Sequence, residues 1–388
     1  MDKQNTGNKN LKILINAITL DSANLVPLFM RLKHWKEQGM EVTIFGNEYL
    51  KERLSARGLL DGYNYLLLHS RLIRQQDLKN IKSKFHFIWE CLKRNIVALY
   101  YARGQKNKFD LVYSLSSVLD LTVFPYVLKL NDRKIKWAVV FDNTVSSKQF
   151  LAWIFFRISI WLIRKADVVF TIDLGLKDFL TQNGINTEKI IPRGNGLEIE
   201  LIEKAKKRKE YNFDALFVGR INEAKGIFDL LKVLESVTET YPDFQLAIMG
   251  DGDNVTKNKF RKKISERSLA SNINFLGYRS GQEKFDIIKS SKCFLFLSRS
   301  ESFGIALLEA VCSEIPVFAY DLPAYSRIYK SGEVDISPKG DWELVAEKVI
   351  RLFERGNFRN EKGKKLLGKY SWENIAEIEY REIKKILG

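Results

Sequence analysis

The sequence predicts an α/β protein made of two doubly wound units, each a parallel sheet with helices on both faces. Three observations predict it. Short apolar runs alternate with segments whose apolar residues recur every three or four positions, which is the β-α-β signature. The alternation runs through the first half, breaks at a charged stretch over residues 193–212, and then restarts. The 388 residues exceed one ordinary core and suit two domains of ~150–200 residues.

The first series opens with a strand at Leu11–Ala17, followed by a helix at about Leu25–Gln38 that Gly39 ends. Further strands are read at 41–45, 110–114, 136–141 and 167–171, with helical patterns between them. The second series has strands at 213–218, 244–249, 273–276, 293–297 and 316–319. Its helices fall at 226–239, 255–269, 283–291 and 304–313. Residues 193–212 are polar and charged and read as an interdomain link. The C-terminal segment 371–387 is one amphipathic helix with a Ser N-cap and Glu373 in its first turn. The expected division is 1–200, with helix 371–388 packing back on it, and 201–370. In open α/β sheets ligands bind beyond the carboxyl ends of the strands, so functional residues are sought just after strands.

Composition narrows the classes. Three dispersed cysteines, Cys91, Cys293 and Cys312, give neither a disulfide framework nor a zinc pattern, which fits a reducing cytoplasm. Residues 1–10 are polar and lack a signal-peptide core. The most apolar stretch, 149–163, carries Arg157 and falls short of the ~20 residues that span a bilayer. The net charge is +16 and is uneven: residues 1–196 hold 30 Lys and Arg against 17 Asp and Glu. The excess is concentrated between Lys51 and Lys108. Such a field attracts an anionic membrane surface, a phosphorylated acceptor or nucleic acid, but no motif for specific nucleic-acid recognition accompanies it.

Two loops carry the chemistry. After strand 213–218 comes Gly219-Arg220-Ile221-Asn222-Glu223-Ala224-Lys225-Gly226, with two cations at the mouth of a helix. Helix amides and full positive charges together suit an anion. After strand 293–297 comes Ser298-Arg299-Ser300-Glu301-Ser302-Phe303-Gly304, then the helix beginning at Ile305. Gly304 permits close backbone approach. Glu309 lies among apolar neighbours, where a carboxylate needs a hydrogen-bonding partner, and ribose hydroxyls would serve. Gly250, after strand 244–249, is a weaker signal of the same kind.

Residues 165–330 resemble the retaining glycosyltransferases of the large family that includes sucrose synthase-like and phosphatidylinositol mannosyltransferase-like enzymes, the group 1, family 4 type with a Glu-x7-Glu motif. The matching pieces are ADVVFTID, KIIPRGNGLE, FVGRINEAKGIFDLL, LAIMGDGDN, INFLGY and SRSESFGIALLEAVCSEIPVFA, in order and in strand context. The resemblance implies a GT-B fold, two Rossmann-like domains facing a central cleft, and a metal-independent hexosyltransferase. It needs no cofactor beyond its donor, a UDP- or GDP-type nucleotide-diphosphate sugar. The C-terminal domain would bind that donor and the N-terminal domain the acceptor, a glycan or lipid-linked molecule. The protein would be cytoplasmic, peripheral on the inner face of the cell membrane. The resemblance assigns the donor diphosphate to Arg220 and Lys225, the donor sugar to Glu301, the ribose to Glu309, and a phosphate cradle to the backbone around Ser302, Phe303, Gly304 and Ile305. Gly219 and Gly250 fall at strand ends beside the donor, and Tyr278 near the base.

The N-terminal half departs from the family pattern. Where a glycine-rich loop follows the first strand, this chain has residues 18–24 without glycine, and Ser22 is the small residue left to approach phosphate. Where a His-Asp pair is usual, it has Phe141-Asp142, so Asp142 alone remains for the donor sugar. His34, His69 and His86 fall at neither place and read as satisfied or surface residues. These losses keep open a catalytically weak nucleotide-sugar-binding partner subunit. A nucleotide-sugar epimerase or a phosphorylase on the same fold are further alternatives.

Overall fold

The computed structural model describes residues 11–18, 25–56, 58–69, 81–145, 147 and 150–388. The chain divides into two compact units, 1–196 with 372–388, and 197–371. The loop reading at Ser22 lies outside the described residues.

In the first unit the order is β1 (Lys12–Asn16), α1 (Leu25–Glu37), β2 (Glu41–Asn47), α2 (Glu48–Ser55), β3 (Asn64–Leu68), α3 (Ile81–Arg103), β4 (Leu111–Ser114), α4 (Leu119–Asn131), β5 (Lys136–Phe141), α5 (Phe150–Ile163), β6 (Val168–Thr171), α6 (Leu174–Gln182) and β7 (Ile190–Pro192). The sheet runs β3-β2-β1-β4-β5-β6-β7, and every pairing is parallel. Its central strands β4 and β6 are buried throughout, and β5 is buried from Trp137 on. Helices cover both faces of such strands, so their sequences read as unbroken apolar runs. Ile13, Ile15, Ile44, Tyr113, Ala138 and Phe170 fill the core on one face.

The second unit contains α7 (Ile199–Lys204), β8 (Ala215–Val218), α8 (Ile227–Thr240), β9 (Leu246–Met249), α9 (Asn254–Glu266), β10 (Ile273–Gly277), α10 (Gly281–Ser290), β11 (Cys293–Phe296), α11 (Ile305–Cys312), β12 (Val317–Tyr320), β13 (Asp335–Ser337), α12 (Trp342–Arg355) and α13 (Leu366–Lys369). Its sheet is also parallel, in the order β10-β9-β8-β11-β12-β13. Chain order reverses between β8 and β11. Loops leaving two neighbouring strands there diverge to opposite faces and open a crevice, the topological switch point where doubly wound sheets bind ligands.

The chain then returns to the first unit through α14 (Trp372–Leu387), which packs on α1. Glu379 of α14 is fully buried between Arg31 of α1 and Arg193 after β7. Arg31 Nε donates to it at 2.8 Å and the Tyr113 hydroxyl at 2.9 Å, so the charge is met from three elements.

The chain passes from the first unit to the second at 196/197, inside the segment read as a link. Residues 197–212 belong to the second unit: Lys206 N and Arg208 Nε donate to Asp286 of α10 at 2.9 and 3.0 Å, and Gln282 donates to the Leu201 carbonyl. Charged composition here marks an ordered surface strap. Short or edge elements (α2, β3, β7 and β13) escape the sequence reading because they have too few residues for a period to emerge. His34 lies 3.2 Å from Glu377, and His69 and His86 are exposed.

Candidate active site

Both loops picked out in the sequence flank the switch point of the second sheet. The strand ends are tied first: Gly219 N donates to the Met249 carbonyl and Gly250 N to the Gly277 carbonyl, at 3.0 and 2.9 Å. The loop after β8 then turns through Asn222, whose Oδ1 accepts from Lys225 N at 3.0 Å and caps a single 3-10 turn. That turn ends at Gly226, at φ +71, before α8 begins. A Cβ at Gly226 would lie 1.8 Å from the Leu297 carbonyl oxygen. Only glycine lets the start of α8 approach the end of β11 this closely.

The second loop is stitched to the first by Arg299 N donating to the Ala224 carbonyl at 2.8 Å. This brings Lys225 and Glu301, 76 residues apart in sequence, into a direct ion pair on Glu301 Oε1. Ser298 Oγ donates to the same oxygen at 2.8 Å. Lys225 also sits 5.8 Å from the centre of the Phe296 ring. Arg299 is held by the buried Asp229 of α8 at 2.6 Å. Arg220 is exposed and has no ion-pair partner among the described residues. One cation of the loop is therefore restrained and the other is free to meet an incoming anion.

Gly304, at φ +79, precedes α11, whose N-terminus has no side-chain cap. Its first-turn amides lack intrahelical acceptors by geometry. Phe303 is buried against Tyr370, with ring centres 5.6 Å apart, which anchors the turn. Ser302 is partly buried and Ile305 exposed. A restrained lysine, a free arginine and an uncapped helix start together make a cationic, amide-rich edge suited to phosphate oxygens.

Glu309 lies one turn along α11 and is 5% exposed. In the sequence reading its partners are ribose hydroxyls. In the structure the partner is Lys284 of α10, with Nζ 2.5 Å from Oε1. Glu198, at the N-terminus of α7, belongs to the same cluster. Burial raises its pKa, Lys284 opposes that rise, and the charge on Glu309 adds to it. Tyr278, after β10, is largely exposed.

Sequence reasoning missed Lys284, Glu198 and Tyr325. Tyr325 is 1% exposed, its ring lies against Gly304, and its hydroxyl has no hydrogen-bond partner among the described residues. Lys284 reads as an ordinary surface position in a helix, and only tertiary placement brings it to Glu309. The GNGLE match did contain Glu198, so that signal was present.

In the first unit Asp142 stands at the end of β5, with Ser116 Oγ donating to it at 3.3 Å. Burial raises its pKa, while Ser116, Arg193 and Arg31 pull it back. Among the described residues no group of three or more His, Cys, Asp or Glu is placed to hold a metal ion. No described helix is long and apolar enough to cross a membrane.

Comparison with known proteins gives a consistent result. Residues 198–366 match the family model described as glycosyl transferases group 1. An uncharacterized glycosyltransferase of Methanocaldococcus jannaschii, MJ1059, is 28% identical over 290 residues, covering 68% of each chain. The phosphatidyl-myo-inositol mannosyltransferase of Mycobacterium leprae is 31% identical over 191 residues, which is 47% of this chain and 50% of that enzyme. The match thus spans half the length of that relative. Among solved structures, Anabaena Alr3699/HepE in complex with UDP and glucose superposes with a TM-score of 0.73 at 15% identity, covering 97% of this chain and 100% of that one. At that identity the likeness is one of fold.

Proposed function

We propose, from the match of residues 198–366 to the family model described as glycosyl transferases group 1, that the chain moves a hexose from a nucleotide-diphosphate sugar to an acceptor hydroxyl with retention of anomeric configuration and without a metal ion. The observation that carries this reading is the edge where the Lys225–Glu301 pair, free Arg220 and the uncapped start of α11 meet at the switch point. Breaking the bond between the anomeric carbon and the phosphate puts positive charge on the sugar ring and negative charge on the departing diphosphate. Cations fixed where that negative charge grows stabilise the transition state more than the ground state. Lys225 and Arg220 supply them, and the amides around Phe303, Gly304 and Ile305 add partial positive charge. Glu301, opposite in sign, faces the sugar. Glu309 exchanges part of its contact with Lys284 for the ribose, and Tyr278 lies toward the base.

The acceptor is a lipid-linked or membrane-surface glycan in polysaccharide or glycoconjugate synthesis, held by the first unit with Asp142 toward the reacting sugar. The relative that acts on phosphatidyl-myo-inositol supports this acceptor class. Three free, buried cysteines are compatible with a reducing cytoplasm, and the proposed location is the inner face of the cell membrane.

The test is thermal melting of the purified protein with a panel of UDP- and GDP-sugars. A donor at 100 times its dissociation constant adds about 2.7 kcal/mol to the state that binds it. One nucleotide class should raise the melting temperature, and Glu309→Ala should abolish the rise. A panel that shifts nothing sinks the donor assignment. Binding with neither transfer nor hydrolysis would favour a partner subunit instead. Product stereochemistry, read by NMR of the new anomeric proton, decides retention.

A further inference from the structure

The first unit carries an apolar surface that its own fold leaves uncovered. On α3, Phe85, Trp89, Leu92, Ile96 and Tyr100 are all at least half exposed, with Phe85 at 70% and Tyr100 at 74%. Their spacing of four, three, four and four residues places them on one helix face. The stripe is about 22 Å long at ~1.5 Å per residue. It continues sideways, because α3 packs on α4 and α4 on α5. Leu130 of α4 is exposed, and so are Ile158 and Trp161 of α5, with Trp161 5.6 Å from Tyr126 of α4. A helix in a globular domain turns such residues inward, and here the inward face of α3 is supplied by other residues, among them Cys91, Ala98 and Ala102.

The charges around this surface are one-sided. From Phe85 to Lys134 the acids are Glu90, Asp120 and Asp132, which are buried, and Asp110, which is partly buried and accepts from the Lys12 amide. Glu90 and Asp120 are ion-paired, to Lys93 and Arg94, and Asp132 accepts from the Asn107 and Lys134 amides. Over Phe150–Lys165 the sequence has no acid at all. The exposed charges are cations: Lys93, Arg103, Lys106 and Lys108 along α3 and its exit, and Arg157 and Arg164 on and after α5. Arg103 continues the line of the stripe three residues past Tyr100.

We propose that this α3–α5 face docks flat on an anionic lipid bilayer, with Phe85, Trp89, Ile96, Tyr100 and Trp161 entering the headgroup–acyl boundary and the surrounding cations meeting lipid phosphates. The composition selects this occupant. Trp and Tyr, with an apolar body and a polar tip, favour the bilayer interface. An apolar helix face rimmed by Lys and Arg lies in that plane, and cations near an anionic surface add an attraction that salt weakens. A second copy of the chain would instead bring like charges together across the contact. The inference deepens the acceptor reading above, since the same face would deliver the enzyme to a lipid-linked substrate, but its physical content is lipid binding alone.

The full-length protein is sedimented with vesicles of phosphatidylcholine and phosphatidylglycerol at 7:3, and with pure phosphatidylcholine vesicles. Wild type should partition onto the anionic vesicles, less so as salt rises, with tryptophan fluorescence quenched by brominated acyl chains. Trp89→Glu with Ile96→Glu should lower the partition coefficient by about tenfold or more, from loss of apolar insertion. Melting of that variant and its response to nucleotide sugars should match wild type, since both side chains are exposed. This separates failure of the lipid face from failure of the donor site. Three results overturn the proposal: no partition of wild type onto anionic vesicles, equal partition of the double variant, or a concentration-dependent dimer that the double variant disperses while neither form binds lipid.

Discussion

Lys225→Ala separates what the cation does for the fold from what it does for the reaction. In the free protein Lys225 neutralises Glu301, whose side chain is 11% exposed, and is itself 18% exposed. Removing one partner of a fully buried pair costs about 3–5 kcal/mol. Partial exposure and the surviving 2.8 Å bond from Ser298 both reduce that here, leaving about 1–2 kcal/mol, in line with loss of one charge-assisted hydrogen bond. For a domain of this size the melting temperature should fall by about 2–8 °C. The effect on chemistry should be larger. A fixed donor at a developing negative charge is worth about 2.7–4 kcal/mol of barrier, a loss of about 10²–10³ in kcat. The assay pairs melting, with and without the nucleotide sugar that shifts wild type, with release of nucleoside diphosphate in the presence of acceptor. A modestly destabilised variant that no longer responds to donor and turns over at least a hundredfold more slowly is the expected outcome. If Lys225→Ala kept the donor-induced shift and lost less than about threefold in turnover, the cation would be a structural partner of Glu301 and the proposed chemistry would fail.

Five other substitutions test the surrounding structure. Gly226→Ala sets a Cβ 1.8 Å from the Leu297 oxygen at φ +71, and should lower the stability of the second unit by about 3 kcal/mol, read from its urea midpoint. Lys284→Met leaves Glu309 buried without its ion-pair partner and should cost about 1.5–3 kcal/mol. Adding Glu309→Gln should restore part of that loss, and strict additivity in the double-mutant cycle would contradict the coupling. Asp142 has a folded-state pKa raised by burial, so the folded state binds its proton more tightly than the unfolded state, and the group's contribution to stability falls as pH rises from about 4 through the raised value. Asp142→Asn should therefore gain on wild type in urea unfolding as pH increases across that window, and a constant difference would refute the shift. Glu379→Gln leaves Arg31 and Arg193 without a buried anion at their shared contact, and should cost about 3–5 kcal/mol, read as a melting temperature lowered by about 6–20 °C.

Which of these sites could be seen in the sequence follows from the range of the interactions that make them. The strands were legible because a parallel sheet covered on both faces needs a continuous apolar run, and KWAVVF and CFLFL are such runs. Gly226 and Gly304 were legible because positive φ at a helix entrance leaves few choices other than glycine. The ion pairs were not. Lys225 finds Glu301 because β8 and β11 are neighbours in the sheet although β9 and β10 intervene in the chain. Lys284 finds Glu309 across 25 residues, and Glu379 reaches Arg31 across 348. The ties of 197–212 to the second unit were hidden for the same reason: their partner, Asp286, lies about eighty residues downstream. Local pattern thus gives the elements and the glycines between them, whereas strand order decides which charge meets which. That is why the sequence could place Arg220, Lys225, Glu301 and Glu309 after the right strands yet assign Glu309 a ribose where the folded chain has already provided a lysine. Under the proposed function a donor would compete with Lys284 for that carboxylate, and the affinity of the site for nucleotide would depend partly on a residue that no motif contains.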